Sequence, residues 1–392
     1  MNLFDKKNKR HIVMFDIRTS SIGAFAFKKE SGKLPEVLAF SKIPLRLLDA
    51  PGSSSMENSV LKTFEDTSKA LTSSFKDVIP DMIFVVLSSP WFQSQTRSVK
   101  ISRESPFIVT QKFLDDIIRD ETDLFIKRSE ETFSSRADQL EVLECAIMKI
   151  TLNGYRVTEP IKKNAREMTM SLYLSASRRE FIELIRESLI HNFGPVKIEL
   201  KSEPLALFQI LKDMIDCEEG FLTIDVGGEM TEVSLVRNCV IEGVGTFNKG
   251  GNFIIRRVAS SLSTGLEEAL SFIKSKSRGD LKEDIDQKIS KILEIAGNEW
   301  RDGLVEALKI IGKSNTLPQN LVLTGGASGI EMLKQKSQSA ELTPLTILGK
   351  PFNVIVFMPQ DLESRINPGA LDKKDTQLTL PLLLATDLIK NV

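Results

Sequence analysis

The chain has 392 residues, of which 41% are hydrophobic and 27% charged, a composition typical of a globular protein with room for two or more domains. Its net charge is −1, so no global field attracts nucleic acid and no nucleic-acid partner is expected. No stretch is long and apolar enough to span a bilayer, and the three cysteines are expected to be buried or free thiols of a protein in a reducing compartment.

The first 92 residues predict an α/β layer. Apolar runs at 11–17, 22–29 and 36–45 are separated by turn-rich residues and predict three strands. Helical spacing follows over 60–79, and a continuous apolar run at 81–89 is typical of a central buried strand. Strands followed by a helix and a buried strand favour a layered α/β arrangement.

A small α+β insert is predicted over 93–175. Its elements are an alternating strand, a charged amphipathic helix, a strand pair and a further strand, at 93–102, 110–133, 140–161 and 167–177. The strand pair turns at Asn153-Gly154, which is a strong hairpin signal. A helix then runs to Gly194, where a glycine ends it.

The second half begins with a strand that joins a helix through Ser202-Glu203-Pro204. The elements predicted after it are a strand hairpin, a long helical region, a strand–glycine turn–helix unit, a late strand and a closing helix, at 220–251, 252–312, 320–336, 352–359 and 378–392. In both halves of the chain, the functional residues are expected in the turns that follow the strands.

Two stretches of the chain repeat one pattern. When Asp16 is aligned with Asp225, "FDIRTSSIGAFAF" lies over "IDVGGEMTEVSLV", and both predict an apolar strand, an aspartate, a polar turn and a second strand. Two such units about 200 residues apart predict two related halves. Their turns would offer backbone N–H groups to an anion, and the two aspartates would hold a hydrated Mg²⁺.

A glycine turn at 324–329 completes this set of motifs. It follows a strand and precedes a helix, so Gly325-Gly326 allows a nucleotide to approach the backbone near a helix N-terminus. Each motif alone is a weak signal, because a strand-end aspartate is more often a cap and a glycine pair is more often a simple turn. The three motifs in this order are considerably more specific.

The order of these motifs resembles the actin/Hsp70-like ATPase superfamily. "SEPLALF", with Glu203-Pro204, is similar to the first connecting motif, and "GNEWRDGLVEALKII" lies where the second connecting helix belongs. Within the superfamily the chain resembles the FtsA/PilM group of cell-division and type IV pilus proteins, because "KGGNFIIRRVASSLSTGLEEALSFIK" is similar to their glycine-pair segment and the following helix, which ends in Lys274. The resemblance covers nearly the whole chain.

This resemblance implies a cleft between two lobes that holds ATP and Mg²⁺. Asp16 and Asp225 would bind the metal, and Glu203 would orient an attacking water, so that Glu203 and Asp16 would be the catalytic residues. The nucleotide would contact Arg18, Thr19, Ser20, Gly227, Gly228, Thr231, Gly250, Gly251, Lys274, Gly325, Gly326, Ala327 and Ser328.

The fold implied is α/β: an actin-like two-lobed ATPase fold of duplicated ribonuclease-H-like domains, with a small α+β (SHS2-like) insert. Lobe I is predicted over 1–92, 176–215 and 376–392, the insert over 93–175, and lobe II over 216–375. The chain ends at Val392, directly after the closing helix, and this is expected to favour a PilM-like role over an FtsA-like one.

Both turns depart from the family pattern. Arg18 stands where the family has glycine, Glu229 and Met230 replace a glycine and a threonine, and Glu232 replaces an aspartate. One hypothesis is that Arg18 pairs with Glu229 across the mouth of the cleft and partly occupies the phosphate site. In the alternative, Arg18 contacts the nucleotide phosphates and Glu229 faces solvent.

The function expected is that of a cytoplasmic, ATP-binding actin-like scaffold with weak or degenerate ATPase activity. It would lie at the inner face of the cell membrane through the cytoplasmic segment of an inner-membrane protein, and it would form a homo-oligomer or filament. The alternatives are a nucleotide-free interaction module and a small-molecule kinase of the same superfamily. The altered turns argue against the fast phosphoryl transfer that a kinase needs.

Overall fold

The computed structural model describes residues 9–47, 53–74, 78–133, 139–313, 316–369, 371–372 and 375–390. In chain order the first elements are β1 (Lys9–Ile17), β2 (Ser21–Glu30), β3 (Glu36–Pro44), α1 (Ser53–Ser74), β4 (Met82–Leu87), β5 (Gln93–Ile108), α2 (Gln111–Phe133), β6 (Leu140–Leu152), β7 (Tyr155–Arg156), β8 (Asn164–Arg178), α3 (Arg179–Phe193), β9 (Lys197–Ser202) and α4 (Glu203–Leu211). The remaining elements are β10 (Phe221–Val226), β11 (Thr231–Arg237), β12 (Val240–Phe247), α5 (Gly251–Leu262), α6 (Leu266–Arg278), α7 (Glu283–Gly312), β13 (Asn320–Thr324), α8 (Glu331–Ser337), β14 (Asn353–Ile355) and α9 (Thr376–Leu388).

Two five-stranded sheets share one topology. Their orders are β3-β2-β1-β4-β9 and β12-β11-β10-β13-β14. In each sheet the first three strands are antiparallel and the last two run parallel to the central strand, β1 or β10. The duplication expected from the two aspartate motifs is therefore present in the strand order, and the α/β fold class is confirmed.

The strand β1 is almost continuously apolar because both of its faces are buried. Val13 and Phe15 point into a core with α1 and α3, whereas Ile12 and Met14 point into a second core that contains α4 and α9. A strand that is covered on both faces buries every side chain, because successive residues point to opposite sides. The strand therefore holds the turn that follows it rigidly between two packed layers.

The second sheet is covered on one face by the helices α5, α6 and α7. The sequence predicted one long helical region here, and the structure divides it into three helices. Ser263 ends α5 and Gly279 ends α6, both in left-handed backbone conformations, with φ of 54° and 75°. Trp300 of α7 is fully buried in this core, where its indole N–H donates to the hydroxyl of Thr231 at 3.0 Å.

The region 93–175 forms a separate antiparallel sheet with the order β5-β8-β6-β7, and α2 packs on it. The turn Asn153-Gly154 joins β6 to β7, as its sequence predicted, with φ of 51° and 87°. The late strand β14 has only three residues, fewer than the predicted run at 352–359. The helix α1 begins earlier than predicted, at Ser53.

The cysteines correct one expectation from the sequence. Cys217 and Cys239 form a disulfide, with Cα atoms 4.6 Å apart, whereas Cys145 is free. The prediction of thiols at Cys217 and Cys239 was wrong because the pairing depends on the β11–β12 turn, which brings Cys239 to the segment before β10. The backbone N–H of Cys239 donates to the carbonyl of Cys217 at 2.8 Å.

Candidate functional site

Asp16 and Asp225 occupy equivalent positions in the two sheets. Each lies one residue before the end of a central strand, and each strand is paired with an antiparallel hairpin partner and a parallel neighbour. Each aspartate is almost fully buried. The two strand ends face each other, so the structure brings together the two carboxylates that the sequence repeat predicted.

One guanidinium group links these two carboxylates. The Nε of Arg18 donates to both oxygens of Asp16 at 3.0 and 2.8 Å, and its Nη1 donates to both oxygens of Asp225 at 2.9 and 3.0 Å. Its Nη2 donates to Oε2 of Glu203 at 2.7 Å. Charge-assisted bonds of this geometry are among the strongest in proteins, so Arg18 is held in one position by three elements.

The electrostatics of this cluster follow from its burial. Burial alone would lower the pKa of Arg18, but the charges of Asp16, Asp225 and Glu203 outweigh it and hold that pKa above its usual value. Burial raises the pKa of Glu203 well above its usual range, against the opposing charge of Arg18, and raises the pKa of Asp225 in the same way. Glu203 is fully buried and its Oε2 accepts from Arg18, so it is poorly placed to activate water.

The residues present do not fit the Mg²⁺ that the family resemblance implies. Mg²⁺ needs free carboxylate oxygens about 2.0 to 2.1 Å away and keeps several waters. All four carboxylate oxygens of Asp16 and Asp225 accept hydrogen bonds from Arg18 instead, and a fixed positive charge lies between them. Among the described residues, no group of His, Cys, Asp and Glu side chains has the arrangement of a metal site.

The turns at the ends of β1 and β10 contact each other directly. The backbone N–H of Glu229 donates to Oγ1 of Thr19 at 3.0 Å. A Cβ added to Gly228 would lie 2.8 Å from the backbone N of Ser20, which shows how closely the two backbones approach. The space between the turns, where the family would hold the terminal phosphates, is therefore filled by the chain itself.

Glu229 neither pairs with Arg18, as the first hypothesis had it, nor faces solvent, as the second had it, whereas a contact of Arg18 with nucleotide phosphates stays a prediction. Its carboxylate accepts from Arg256, at 3.1 and 2.6 Å, and from the side-chain amide of Asn252 at 2.7 Å. The Glu229 side chain is largely buried rather than directed to solvent. Arg18 is bonded to the carboxylates of Asp16, Asp225 and Glu203 instead. The cation beside Glu229 is Arg256 of the helix α5.

Beside the charged cluster lies a cavity of about 660 Å³. Predicted site residues that line it are Arg18, Ser20, Gly227, Gly228, Gly251, Lys274, Gly325, Gly326 and Ala327. Its other walls are mostly apolar side chains of α5, α6 and α9. The cavity is thus lined by residues predicted for the adenosine side and by parts of the two phosphate turns, and it is open although the space directly between those turns is filled.

Four of the predicted nucleotide contacts, and the three acids of the charged cluster, do not line this cavity. Thr231 donates its hydroxyl to the carbonyl of Lys249 at 2.8 Å, and Thr19 is engaged with the facing turn. Ser328 donates to the carbonyl of Gly325 at 2.8 Å, so it stabilises the glycine turn. Gly250 packs against the turn of β10, where an added Cβ would lie 2.4 Å from the carbonyl oxygen of Gly228.

Lys42 of β3 also lines the cavity, and sequence reasoning missed it. Its ammonium donates to the side-chain oxygen of Gln377 at 3.0 Å, and burial lowers its pKa. No local motif marks this lysine, because its position depends on the approach of α9 to the edge of the first sheet. The alternation of β3 was the only signal, and it does not distinguish a cavity wall from a solvated face.

Glu232 is a further buried acid next to the cluster. It is the partner of Asp225 in the register of β10 and β11, and it accepts a hydrogen bond from the hydroxyl of Ser89. Burial raises its pKa from 4.5 to about 8, with the charge of Asp225 acting in the same direction. Glu232 therefore carries a proton at neutral pH.

These features define an actin-like ATPase fold in which the turns predicted to hold phosphate contact each other instead. Comparison with known proteins supports the fold: the chain is similar to the PilM–PilN type IV pilus biogenesis complex, with a TM-score of 0.65 and 17% identity over 97% of this chain and 98% of that one. It also matches the ethanolamine utilization protein EutJ from Carboxydothermus hydrogenoformans, with a TM-score of 0.49 and 12% identity over 96% and 89% of the two chains. For MreB5 of Spiroplasma citri bound to ADP, the TM-score is 0.47 and the identity 13% over 98% and 99%.

The resemblance seen in the sequence, to actin-like ATPases and to PilM in particular, is therefore confirmed at the level of the fold. No protein-family model and no curated protein matches the chain. Within the described residues, no helix is long and apolar enough to cross a membrane.

Proposed function

We propose that the chain is an actin-like scaffold that binds the cytoplasmic segment of a membrane protein and couples a membrane-embedded machine to cytoplasmic components. The observation that carries the proposal is the similarity to PilM, which extends over 97% of this chain and whose structure is a complex with PilN. A machine related to type IV pilus assembly is the first candidate, and an FtsA-like role in cell division is the alternative. Membrane association through the partner, a cytoplasmic location and self-assembly belong to the same proposal.

The proposed scaffold does not turn over ATP. The support is the state of the residues that would perform catalysis: Asp16, Asp225 and Glu203 are all bonded to Arg18. A metal ion could bind these carboxylates only after the guanidinium of Arg18 had broken its bonds to all three, and burying a second cation beside that fixed positive charge is costly. The same argument weighs against a small-molecule kinase, because phosphoryl transfer depends on metal ions that neutralise the phosphates.

A direct test is peptide binding. The cytoplasmic segments of the single-pass membrane proteins encoded beside this gene would be synthesised with a fluorophore and titrated with the full chain. Saturable micromolar binding to one segment, lost when that segment is scrambled, is the expected result. Deleting that membrane protein from the host should then move the chain from the membrane fraction to the soluble fraction.

The proposal fails if none of these segments binds and the chain never sediments with membranes in its host. The genes beside it decide between the two machines. Binding to a segment encoded with pilus inner-membrane genes supports the pilus role, and binding only to a segment encoded with a tubulin-like division gene supports the alternative.

A further inference from the structure

We infer that Arg18 is a built-in cation that takes the place of a divalent metal ion and holds the two halves of the cleft closed without any ligand. The inference goes beyond the scaffold function and does not depend on which partner the chain binds. It starts from the elements that Arg18 connects. Asp16 lies in β1 of the first sheet and Arg18 directly follows that strand, Asp225 lies in β10 of the second sheet, and Glu203 begins the helix α4.

The hydrogen-bond pattern of Arg18 is that of a bridging ion. A guanidinium has five N–H groups in a rigid plane, and here its three nitrogens serve three carboxylates from three elements. A bridging metal would perform the same task by sharing its coordination among the aspartates and a ligand. The difference is that a guanidinium is covalently attached and never loses its charge, so the bridge is permanent.

The closeness of the two turns is an independent observation. Thr19 and Glu229 are joined by a hydrogen bond of 3.0 Å that also runs from one half to the other. The approach of Gly228 to Ser20 leaves no space for even one additional carbon atom. The cleft is therefore closed at this end by contacts within the chain, in the region where a bound nucleotide would otherwise have to connect the halves.

The sequence change fits this role. Arg18 stands where the FtsA/PilM group has glycine in the first turn, and the Arg18 side chain is buried. A long charged side chain in a tight turn is normally directed to solvent, since burying it without partners is prohibitive. Arg18 is instead buried among three carboxylates, and its guanidinium lies between Asp16 and Asp225, the two aspartates to which the family resemblance assigns the metal.

The experiment compares the size of the full chain with and without metal and nucleotide. Small-angle X-ray scattering would be recorded on the wild-type protein in EDTA, in millimolar MgCl₂ and in millimolar MgCl₂ with ATP. The expected result is one radius of gyration under all three conditions. A decrease of the wild-type radius when Mg²⁺ and ATP are added would overturn the inference, because the lobes would then need a ligand to close.

The variant Arg18→Gly restores the family residue and removes the built-in cation. In EDTA its radius of gyration is expected to exceed that of the wild type, and MgCl₂ is expected to reverse the expansion because the freed carboxylates then bind the metal. Isothermal titration with MgCl₂ alone should show saturable binding to the variant and none to the wild type. The matched control is Arg256→Ala, which removes an arginine–carboxylate pair confined to one half and should scatter like the wild type.

An Arg18→Gly variant that is as compact as the wild type in EDTA contradicts the inference, as does equal Mg²⁺ binding by both proteins. If that variant does not fold, Arg18→Lys keeps the charge but not the planar fork, and it should expand in EDTA by a smaller amount. The wild-type series remains decisive without any variant. Peptide binding is unaffected by its outcome, so a failure here is distinguishable from a failure of the scaffold proposal.

Discussion

The two ends of the cleft differ in almost every physical property. The charged end, formed by Asp16, Arg18, Glu203 and Asp225, is buried, with each residue at most 5% exposed, and Arg18 bonds all three of its carboxylates. The open end, the cavity beside Lys274 and Gly326, is lined mainly by apolar side chains and glycines. One end is thus filled by the chain's own charges, and the other keeps the space for a ligand.

This difference shows that one fold can fill one end of a cleft with its own charges and leave the other end open. The strand ends and turns that build the charged end are in the positions that the fold requires, and a single residue, Arg18, changes what they can bind. The open end depends on the packing of α6, α9 and the glycine turn, and none of the carboxylates that bond Arg18 comes from these elements. Substitutions at the charged end should therefore have large effects, and those at the open end small ones.

The largest expected effect is that of Arg18→Gly on stability. Removing the guanidinium leaves three buried carboxylates without their cation, so the free energy of unfolding should fall by about 3 to 5 kcal/mol. Urea denaturation of the variant and the wild type measures the difference. Arg256→Ala breaks the pair with Glu229, whose carboxylate keeps the amide of Asn252, so it should cost less, about 1 to 2 kcal/mol, and equal losses in the two variants would contradict the special position of Arg18.

The two adjacent glycines of the turn at 325–326 should respond very differently to alanine. Gly325 has φ of 97°, and an added Cβ would lie 2.5 Å from the carbonyl oxygen of Val226, so Gly325→Ala should cost roughly 2 to 3 kcal/mol. At Gly326 the nearest atom is the hydroxyl of Ser20 at 3.8 Å, and Gly326→Ala should be nearly neutral. Thermal unfolding of the pair tests this, and a neutral Gly325→Ala would show that the turn moves freely.

Glu232 provides a prediction about pH. Its pKa is raised from 4.5 to about 8, chiefly by burial, while the hydroxyl of Ser89 and the charge of Arg18 oppose the rise and Asp225 adds to it. The folded protein thus keeps a proton that the unfolded chain releases above pH 4.5, so stability should fall as the pH rises from there to about 8. Glu232→Gln removes this loss and keeps an acceptor for Ser89.

Urea denaturation over a pH series should show a shallower decline for Glu232→Gln than for the wild type. At pH 8 the variant should be the more stable protein, by on the order of 1 kcal/mol or more. Glu306→Gln, at an exposed position of α7, should follow the wild-type curve. Parallel curves for Glu232→Gln and the wild type would show that Glu232 is ionised in the folded protein.

The smallest effect is expected at the open end. The side chain of Lys274 is exposed at the edge of the cavity, so Lys274→Ala should change the free energy of unfolding by less than about 0.5 kcal/mol. Urea denaturation of Lys274→Ala and Arg18→Gly under the same conditions compares the free energies of unfolding lost at the open end and at the charged end. A loss comparable to that of Arg18→Gly would mean that the open end also holds the lobes together.

Much of the architecture was predictable because neighbouring residues encode it. The alternation in β1, the glycine after α3 and the Asn153-Gly154 turn act over a few positions, and the structure has the expected element at each. The repeat around Asp16 and Asp225 predicted the facing strand ends. The domain boundaries and the roles of the nucleotide-site residues remain predictions.

The sequence by itself determined most of the elements, the two equivalent aspartates and the unusual arginine in the first turn. Only the tertiary structure decided the partners of Arg18, because Glu203 and Asp225 lie 185 and 207 positions away along the chain. It likewise paired Glu229 with Arg256 and joined Cys217 to Cys239. The physical reason is that periodicity and turn chemistry are local, whereas an ion pair between two halves depends on distances that exist only once both sheets have packed.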